Sequence, residues 1–393
     1  MFLPFFLATT LFQFVFSQQI IPLYTFLGGN VNNKINATPP YSLYVSAHMD
    51  TSIVLNQIFI KTDNNQMMSL EQLKHNKASN SSGLLTPMKI QSQAYLSSSL
   101  ADTQMAALEG FIYITTEKQG KSGYFKVFDV DKSEVIRTSF LICDPCTIVF
   151  LNTNGQMTPA QSSTLSSWRQ SPTSVVKMYK GIPTDDDEQD STQIFSNPIQ
   201  GVYNEEIRME IVEKFSVSLG AFYFKTTDDF YFLIQPYYSD LNTYTTTGYT
   251  STGFYMKSKD QIPKNVTVLC IRDTRFNGTT GANVVGSLPN PLGKVIVAEN
   301  DGDDNRSITV PPQRVINGWT TNHIGQNITI DAMNSEGGEY FVQYYVIQDQ
   351  EISSTYAPTN QVPTGTMETT TKGGGVLDCM VGTMMMVIVS WIL

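Results

Sequence analysis

The stretch "FSVSLGAFYFK", Phe215–Lys225, sets Phe215, Val217 and Leu219 on one side and Ser216 and Ser218 on the other. A period of two marks a half-buried strand. Similar short runs rich in β-branched and aromatic residues recur: "GFIYITT" from Gly110, "CTIVFLN" from Cys146, "FYFLIQP" from Phe230, "KVIVAE" from Lys294, "NITIDA" from Asn327 and "YFVQYYVI" from Tyr340. Turn-formers such as Asn154-Gly155 and the run Asn334 to Gly338 separate them. Thr103 to Leu108 is the one stretch that reads as a helix. Many short strands with few helices point to sandwiches or barrels, so the expectation is an all-β chain with two tandem β-sandwich domains and a disordered stalk.

Outward from the strands, composition divides the chain. "GIPTDDDEQDST", Gly181 to Thr192, packs Asp185, Asp186, Asp187, Glu188 and Asp190 together without periodic apolar residues. Like charges in such a block stay solvated, so residues 181–198 read as an acidic linker between a first domain at 18–180 and a second at 199–350. A calcium loop needs ligands at fixed spacing around a turn glycine and a bidentate Glu; neither this run nor "ENDGDDN", Glu299 to Asn305, meets that need. "IFIKTDNN" (Ile58–Asn65) is like "FYFKTTDD" (Phe222–Asp229), and "SGYFKVFDV" (Ser122–Val130) is like "GEYFVQYYV" (Gly338–Val346). The two offsets disagree, so a duplication of the halves is a weak expectation. Residues 351–375 are Thr/Pro-rich and read as an extended stalk.

The ends carry processing signals. Residues 1–17 have an apolar core from Phe2 to Phe16 with small Ser17 at the expected cut, though no Lys or Arg precedes it. At the other end, Met380 to Leu393 is apolar apart from Gly382, Thr383 and Ser390. That run is shorter than the roughly 20 residues a spanning helix needs. Small residues, a spacer and an apolar tail are the pattern of a glycosylphosphatidylinositol (GPI) attachment signal, with Gly373, Gly374 and Gly375 as lipid-attachment candidates and 376–393 as the propeptide. Six acceptor motifs for N-glycosylation begin at Asn36, Asn80, Asn265, Asn277, Asn305 and Asn327. The expected location is the outer face of the plasma membrane, reached through the secretory pathway and held by a glycolipid anchor.

The chain has 25 Lys+Arg against 35 Asp+Glu, and no basic cluster stands out in the sequence to suit a nucleic acid. Cys379 leaves with the proposed tail, which keeps Cys143, Cys146 and Cys270 as disulfide candidates. "ICDPC" lies between strand-like flanks, where the helix that activates a redox Cys-x-x-Cys is missing. A local Cys143–Cys146 bridge is the first choice; a bridge from either to Cys270 stays open. A His-based triad must recruit His48, His75 or His323, and none has a supporting motif. Paired acids for glycoside hydrolysis have candidates in Glu205, Glu206, Glu210, Asp228 and Asp229, and Tyr237, Tyr238, Tyr244, Tyr249 and Tyr255 are able to stack on sugars. No metal, cofactor or catalytic residue is expected.

"PYSLYVSAHMDTSIVLNQIFIKTDNNQMMSLEQL" (Pro40–Leu73) followed by "GYFKVFDV" (Gly123–Val130) resembles the secreted CUB-like proteins abundant in nematodes. The resemblance covers the first domain. It implies a jelly-roll sandwich and an extracellular recognition module linked to responses to infection or stress. The acids and Tyr of calcium-binding CUB domains, and their four-cysteine framework, have no counterparts here. The expected function is therefore a non-enzymatic, GPI-anchored glycoprotein that recognises an extracellular protein or carbohydrate ligand in innate defence or stress. The alternative is a secreted or anchored carboxylate-based hydrolase acting on carbohydrate.

Overall fold

The computed structural model describes residues 18–48, 52–78, 83–130, 136–140, 145–156, 162–184, 193–200, 206–235, 243–246, 250–273, 275–301, 304–310, 317–320 and 323–351. The chain divides into two compact units, 1–352 and 353–393. The expected signal segment 1–17, the expected stalk 351–375 beyond its first residue, with Gly373 to Gly375, and the expected propeptide 376–393 lie outside the described residues.

The described residues are all-β, with four α-helices of at most five residues and two 3-10 turns, Leu23–Thr25 and Thr153–Gln156. One of these, Asp102–Ala106, falls on the expected helical stretch. The first eight strands are β1 (Gln19–Pro22), β2 (Asn32–Lys34), β3 (Tyr41–Ala47), β4 (Ile58–Thr62), β5 (Met67–Ser69), β6 (Met88–Ile90), β7 (Ala94–Ser98) and β8 (Gly110–Thr116). They form two sheets in the orders β1-β8-β3-β6 and β2-β7-β4-β5. The antiparallel pairs 1/8, 2/7, 3/6 and 4/5 trace one long ribbon with its tip at β4 and β5. Rolled so that alternate pairs land in facing sheets, that ribbon is a jelly roll. Leu43, Val45, Ile112 and Ile114 of one sheet meet Ile58, Ile60 and Leu96 of the other in its core.

The same winding recurs twice. The second roll uses β10 (Ile136–Phe140), β11 (Cys146–Leu151), β12 (Ser163–Gln170), β13 (Val176–Lys180) and β14 (Gln193–Asn197), then β18 (Phe215–Val217), β19 (Ala221–Thr226) and β20 (Phe230–Gln235). Its sheets run β10-β20-β12-β18 and β14-β13-β19-β11, with β9 (Phe125–Asp129) added parallel to β11. Between β14 and β18, β15 (Ile199–Gln200) pairs with β16 (Glu206–Ile207), and β17 (Ile211–Val212) joins the third roll. That roll comprises β22 (Ser251–Lys257), β23 (Val266–Leu269), β24 (Phe276–Ser287), β25 (Lys294–Asp301), β26 (Asp304–Val310), β27 (Asn317–Thr320), β28 (Asn327–Met333) and β29 (Glu339–Glu351). Its sheets run β22-β29-β24-β27 and β23-β28-β25-β26, with β21 (Thr243–Thr245) beside β23.

Three rolls therefore stand where two domains were expected. The supposed linker 181–198 is corrected by strand pairing: β13 and β14 are antiparallel neighbours from Val176↔Asn197 to Tyr179↔Gln193. The acidic run thus connects strands four and five of one roll and separates no domains. The opening stretch also divides. Phe215–Val217 and Ala221–Thr226 belong to opposite sheets of the second roll, and Ser218 to Gly220 crosses between them. Asn152 holds that crossing, its backbone N–H donating to the Gly220 carbonyl at 2.9 Å and its Nδ2 to the Leu219 carbonyl at 3.0 Å. The segments read as repeats fall at unlike positions: Ile58–Thr62 is a fourth strand, Ala221–Thr226 a seventh, Phe125–Asp129 the added strand and Glu339–Glu351 an eighth.

The rolls share faces. Tyr44, Phe111 and Tyr113 on the outer face of the β1-β8-β3-β6 sheet pack on Val127, Val149, Leu151, Tyr179 and Tyr223 of the second roll. This is why β3 is buried at every residue. On β29, Tyr340, Val342 and Tyr344 fill the core of the third roll, while Phe341 points the other way, with Phe254 and Met256, into the core of the second.

Candidate functional site

Among the described residues, three concave or charged regions stand out at or beyond these shared faces. The first is a cavity of about 440 Å³ where the second and third rolls meet. Ile182, Ile194, Val285 and Phe341 line it, and an ion pair between Lys180 and Glu339 closes one side.

The second lies at the end of the third roll. Antiparallel pairing sets Asn300 opposite Asn327 and so brings the turn before β28 over the end of β25. Glu299, 1% exposed, accepts the Gly325 N–H at 2.6 Å through Oε1, and its Oε2 lies 3.4 Å from His323 Nε2. His323 Nε2 is 3.9 Å from Asp301 Oδ2, and Arg272 Nη1 donates to Asp301 Oδ1 at 2.7 Å and to the Ile324 carbonyl at 3.1 Å. A Cβ at Gly325 would meet Glu299 Cγ at 2.4 Å, so the close fit requires glycine. Burial, reinforced by the charge of Glu299, pushes the Cys270 thiol up to about 12. A protonated thiol is a poor nucleophile; the cluster's evident work is to fasten residues 323–325 to β25.

The third is a crevice of about 170 Å³ between the helix Glu117–Lys121 and the second roll, lined by Lys118, Gln119, Tyr124, Phe125, Thr147 and Lys225 among others. Three lining residues form a row across the sheet, Lys225 opposite Thr147 and Thr147 opposite Phe125; Lys177, opposite Lys225 on the next strand, continues the row beyond the crevice.

The residues singled out from sequence are scattered. His48 is buried at the end of β3, while His75 is exposed and pairs with Glu71 at 2.8 Å. Glu206 and Glu210 are exposed and Glu205 lies outside the described residues. Asp228 accepts from Thr173, from Ser171 Oγ at 3.2 Å and from the Asp229 N–H at 2.7 Å. These bonds, the one from Thr173 foremost, hold its carboxyl below the usual range, and they fasten a turn. Of the aromatic stretch, Phe222, Phe224, Phe230, Phe254 and Tyr255 are core residues and Tyr244 is buried; Tyr237, Tyr238 and Tyr249 lie outside the described residues. These residues are thus packing groups, whereas Tyr231 is half-buried with the Arg169 guanidinium 5.9 Å from its ring centre.

Asn36, Asn265 and Asn277 are exposed, whereas Asn327 is half-buried and its Oδ1 accepts from Asn300 Nδ2 at 2.7 Å. Asn80 lies outside the described residues, as does the side chain of Asn305. Cys270 carries a free thiol, which removes the bridge from Cys143 or Cys146 to Cys270: Cys270 follows β23 in the third roll and Cys146 opens β11 in the second. The Cys143–Cys146 bridge falls partly on Cys143, outside the described residues. Among the described residues, no group of three or more His, Cys, Asp or Glu is placed to hold a metal, and no helix is long and apolar enough to cross a membrane.

What sequence reasoning missed, the Glu299–His323 contact and the lysine row, depends on strand register. A family model described as "Glycoprotein: Transmembrane glycoprotein" matches residues 38–388. No curated protein matches the chain. Among solved structures, the CUB1-EGF-CUB2 domains of rat MASP-1 align at 9% identity over 56% of this chain and 99% of that one, with a TM-score of 0.20. A β-porphyranase of glycoside hydrolase family 86 from the human gut bacterium Bacteroides plebeius aligns at 9% identity over 65% of this chain and 46% of that one, with a TM-score of 0.14. The fold argument rests on the pairing of the strands.

Proposed function

The chain belongs to the transmembrane glycoprotein family whose model spans residues 38–388, and from that premise we propose that it is a non-enzymatic recognition or adhesion glycoprotein. It acts at the outer face of the plasma membrane, held there by a GPI anchor on Gly373, Gly374 or Gly375. The observation that supports this reading is the placement of three acceptor asparagines, Asn36, Asn265 and Asn277, at exposed positions of the first and third rolls. Glycans there leave the crevice between the first and second rolls as a binding surface for an extracellular protein or carbohydrate. Defence or stress response is the setting suggested by the CUB-like sequence pattern. Cys146, buried at the start of β11 and disulfide-bonded, supports assigning its bridge to Cys143.

Phosphatidylinositol-specific phospholipase C applied to intact expressing cells tests the anchor. Release, with a glycolipid remnant on one of the three glycines, supports it; retention, with Cys379 and Trp391 in the mature protein, replaces it with a membrane-spanning tail. Binding of the full-length protein, displayed on cells, to untransfected cells and to a glycan array tests recognition.

A carboxylate-based hydrolase is the second reading, and Glu299, buried beside His323 and Asp301, favours it. Release of reducing sugar by the wild-type protein, lost in Glu299→Gln, would establish it over the first.

A further inference from the structure

The first roll packs on the second through the outer face of its β1-β8-β3-β6 sheet. The outer face of its other sheet, β2-β7-β4-β5, carries two rows fixed by register. Asn32, Ser97, Phe59 and Ser69 lie side by side across the strands, and next to them lie Lys34, Tyr95, Lys61 and Met67. Successive residues of a strand point to opposite faces, and the neighbours Ile35, Leu96, Ile58 and Ile60 are core, so both rows point outward. Phe59 and Tyr95 are half-buried, and Met67 is 61% exposed. Lys61 Nζ donates to Ser97 Oγ at 3.3 Å, which lays the apolar stem of the lysine along the sheet between Tyr95 and Phe59.

The same register brings a sugar acceptor onto this face. The Ile35 N–H donates to the Ala94 carbonyl at 3.0 Å, so the ladder runs on past Lys34 and Asn36 falls opposite Gln93. In an antiparallel ladder the pairs that flank a hydrogen-bonded pair bring their side chains closest; Lys34 with Tyr95 and Asn36 with Gln93 are those pairs. Asn36 and Tyr95 are then diagonal neighbours, with Cα atoms on the order of 7–8 Å apart. Gln93 spends its amide on the Ile35 and Ala94 carbonyls, at 2.8 Å and 3.1 Å, and so lies low beside the backbone. Asn36 is exposed and opens the motif Asn36-Ala37-Thr38, and Thr38 is exposed as well.

Attachment exchanges one bond for another. Asn36 Nδ2 gives up a proton and bonds the anomeric carbon of a lipid-diphosphate-linked oligosaccharide, and the lipid diphosphate leaves with the proton. An N-acetylglucosamine held there has the reach of a large side chain, and its C–H surface complements the electron-rich face of a tyrosine ring. We propose that the first sugar of an Asn36-linked glycan packs on Tyr95 and closes this open face of the first roll, so that the sugar is a structural part of the roll. The inference rests on the extracellular glycoprotein reading above and says what one of its glycans does.

The test is hydrogen exchange read by mass spectrometry on the full chain, made in cells that build only high-mannose glycans and kept in detergent, with peptide mapping of Asn36 alongside. The β7 segment Ala94–Ser98 reports on the face without carrying the sugar. Its exchange should be about two- to tenfold faster in Asn36→Gln and Thr38→Ala than in wild type, the range of one aromatic contact, and unchanged in Thr38→Ser, which keeps the motif. Trimming the glycan with endoglycosidase H to its first sugar should also leave the wild-type rate. Tyr95→Leu should lose the same protection, and adding Asn36→Gln to it should change nothing more. Tyr95→Thr, a β-branched residue suited to a strand, repeats the comparison if Tyr95→Leu folds poorly. A bare Asn36, wild-type exchange in Asn36→Gln, fast exchange after trimming, or additive losses in the double variant overturns the proposal. So does protection that rises with protein concentration, which would give the face to a second copy. If Asn36 is bare while Asn265 and Asn277 carry sugar, the extracellular reading stands; if all three are bare, it falls too.

Discussion

Gln343 closes a two-way hydrogen bond with the backbone of Ser196. Its Oε1 accepts the Ser196 N–H at 3.0 Å, and its Nε2 donates to the Ser196 carbonyl at 2.7 Å. Ser196 lies on β14, the edge strand of a second-roll sheet, and Gln343 lies on β29 of the third roll. An edge strand exposes unpaired backbone groups, and here one side-chain amide satisfies a donor and an acceptor at once. The third roll is thereby joined to the second by directional bonds as well as by the packing of Phe254 on Phe195 and Phe215.

Gln343→Leu keeps most of the volume but leaves both groups of Ser196 unpaired in a buried site, at a cost of about 1–3 kcal/mol for each. Urea unfolding should show a midpoint well below wild type. Thr252→Val, which removes the Thr252 Oγ1 acceptor of Gln343 Nε2 at 3.2 Å and its own donation to Tyr344 O, should have the smaller effect. Equal midpoints for Gln343→Leu and wild type would show that this contact does not hold the rolls together.

Ser46 makes a comparable tie between the first and second rolls. Its Oγ donates to Asp129 Oδ1 at 2.6 Å and lies 2.7 Å from Thr153 Oγ1, with all three residues buried. Ser46→Ala should destabilise by about 1.5–3 kcal/mol, the range for a hydrogen bond to a charged group. Limited proteolysis should then cut first between the two rolls, near residues 117–124; unchanged urea and proteolysis profiles would refute this.

Gly253 faces Tyr344 across β22 and β29, and an added Cβ would lie 2.2 Å from the Tyr344 ring. Tyr344 is itself fully buried, so the ring has nowhere to go. Gly253→Ala should cost about 1–3 kcal/mol or more by overpacking. In a double-mutant cycle with Tyr344→Leu the two losses should be clearly non-additive; simple additivity would place the strain elsewhere.

Legibility followed the number of buried faces. Phe215, Ser216 and Val217 alternate because one side of β18 meets the core, and that much was plain in the sequence. "YFVQYYVI" hides its direction because β29 is buried on both faces: Tyr340 and Val342 point one way and Phe341 the other. The acidic run at 185–190 reads from sequence as a linker between domains, yet the strands that flank it are paired neighbours. Its role as the connection of one hairpin was not visible, since a jelly roll pairs strands by their order in the whole ribbon. Glu299 and His323, and Lys177 and Lys225, are separated by many residues and meet only through register, which composition and motif spacing do not encode.

Glycan occupancy should follow exposure. Asn36, Asn265 and Asn277 are open to solvent, while Asn327 begins β28 with its side chain bonded to Asn300. Peptide mapping after enzymatic deglycosylation in heavy-oxygen water should find the first three converted to labelled Asp and Asn327 unmodified. High occupancy at Asn327 would mean that the Asn300 contact forms only after glycosylation or not at all.

Cys270 gives a pH dependence whose sign is fixed by its burial. The folded thiol is pushed up to about 12 from its ordinary 9.0, by desolvation first and the nearby Glu299 charge second. The protonated thiol is favoured in the folded state, so its contribution to stability is complete below pH 9 and is lost as pH rises from 9 towards 12. Urea midpoints of the wild type should fall across that window more steeply than those of Cys270→Ala, and iodoacetamide should label native Cys270 far more slowly at pH 8.5 than the urea-unfolded chain. Glu299→Gln removes the charge while keeping the bulk, so it should lower the thiol's titration and speed its labelling at pH 10. If Cys270 reacts as fast as an unfolded thiol, the clamp of residues 323–325 onto β25 is open in solution and the account of the Glu299 cluster as a fastening fails with it.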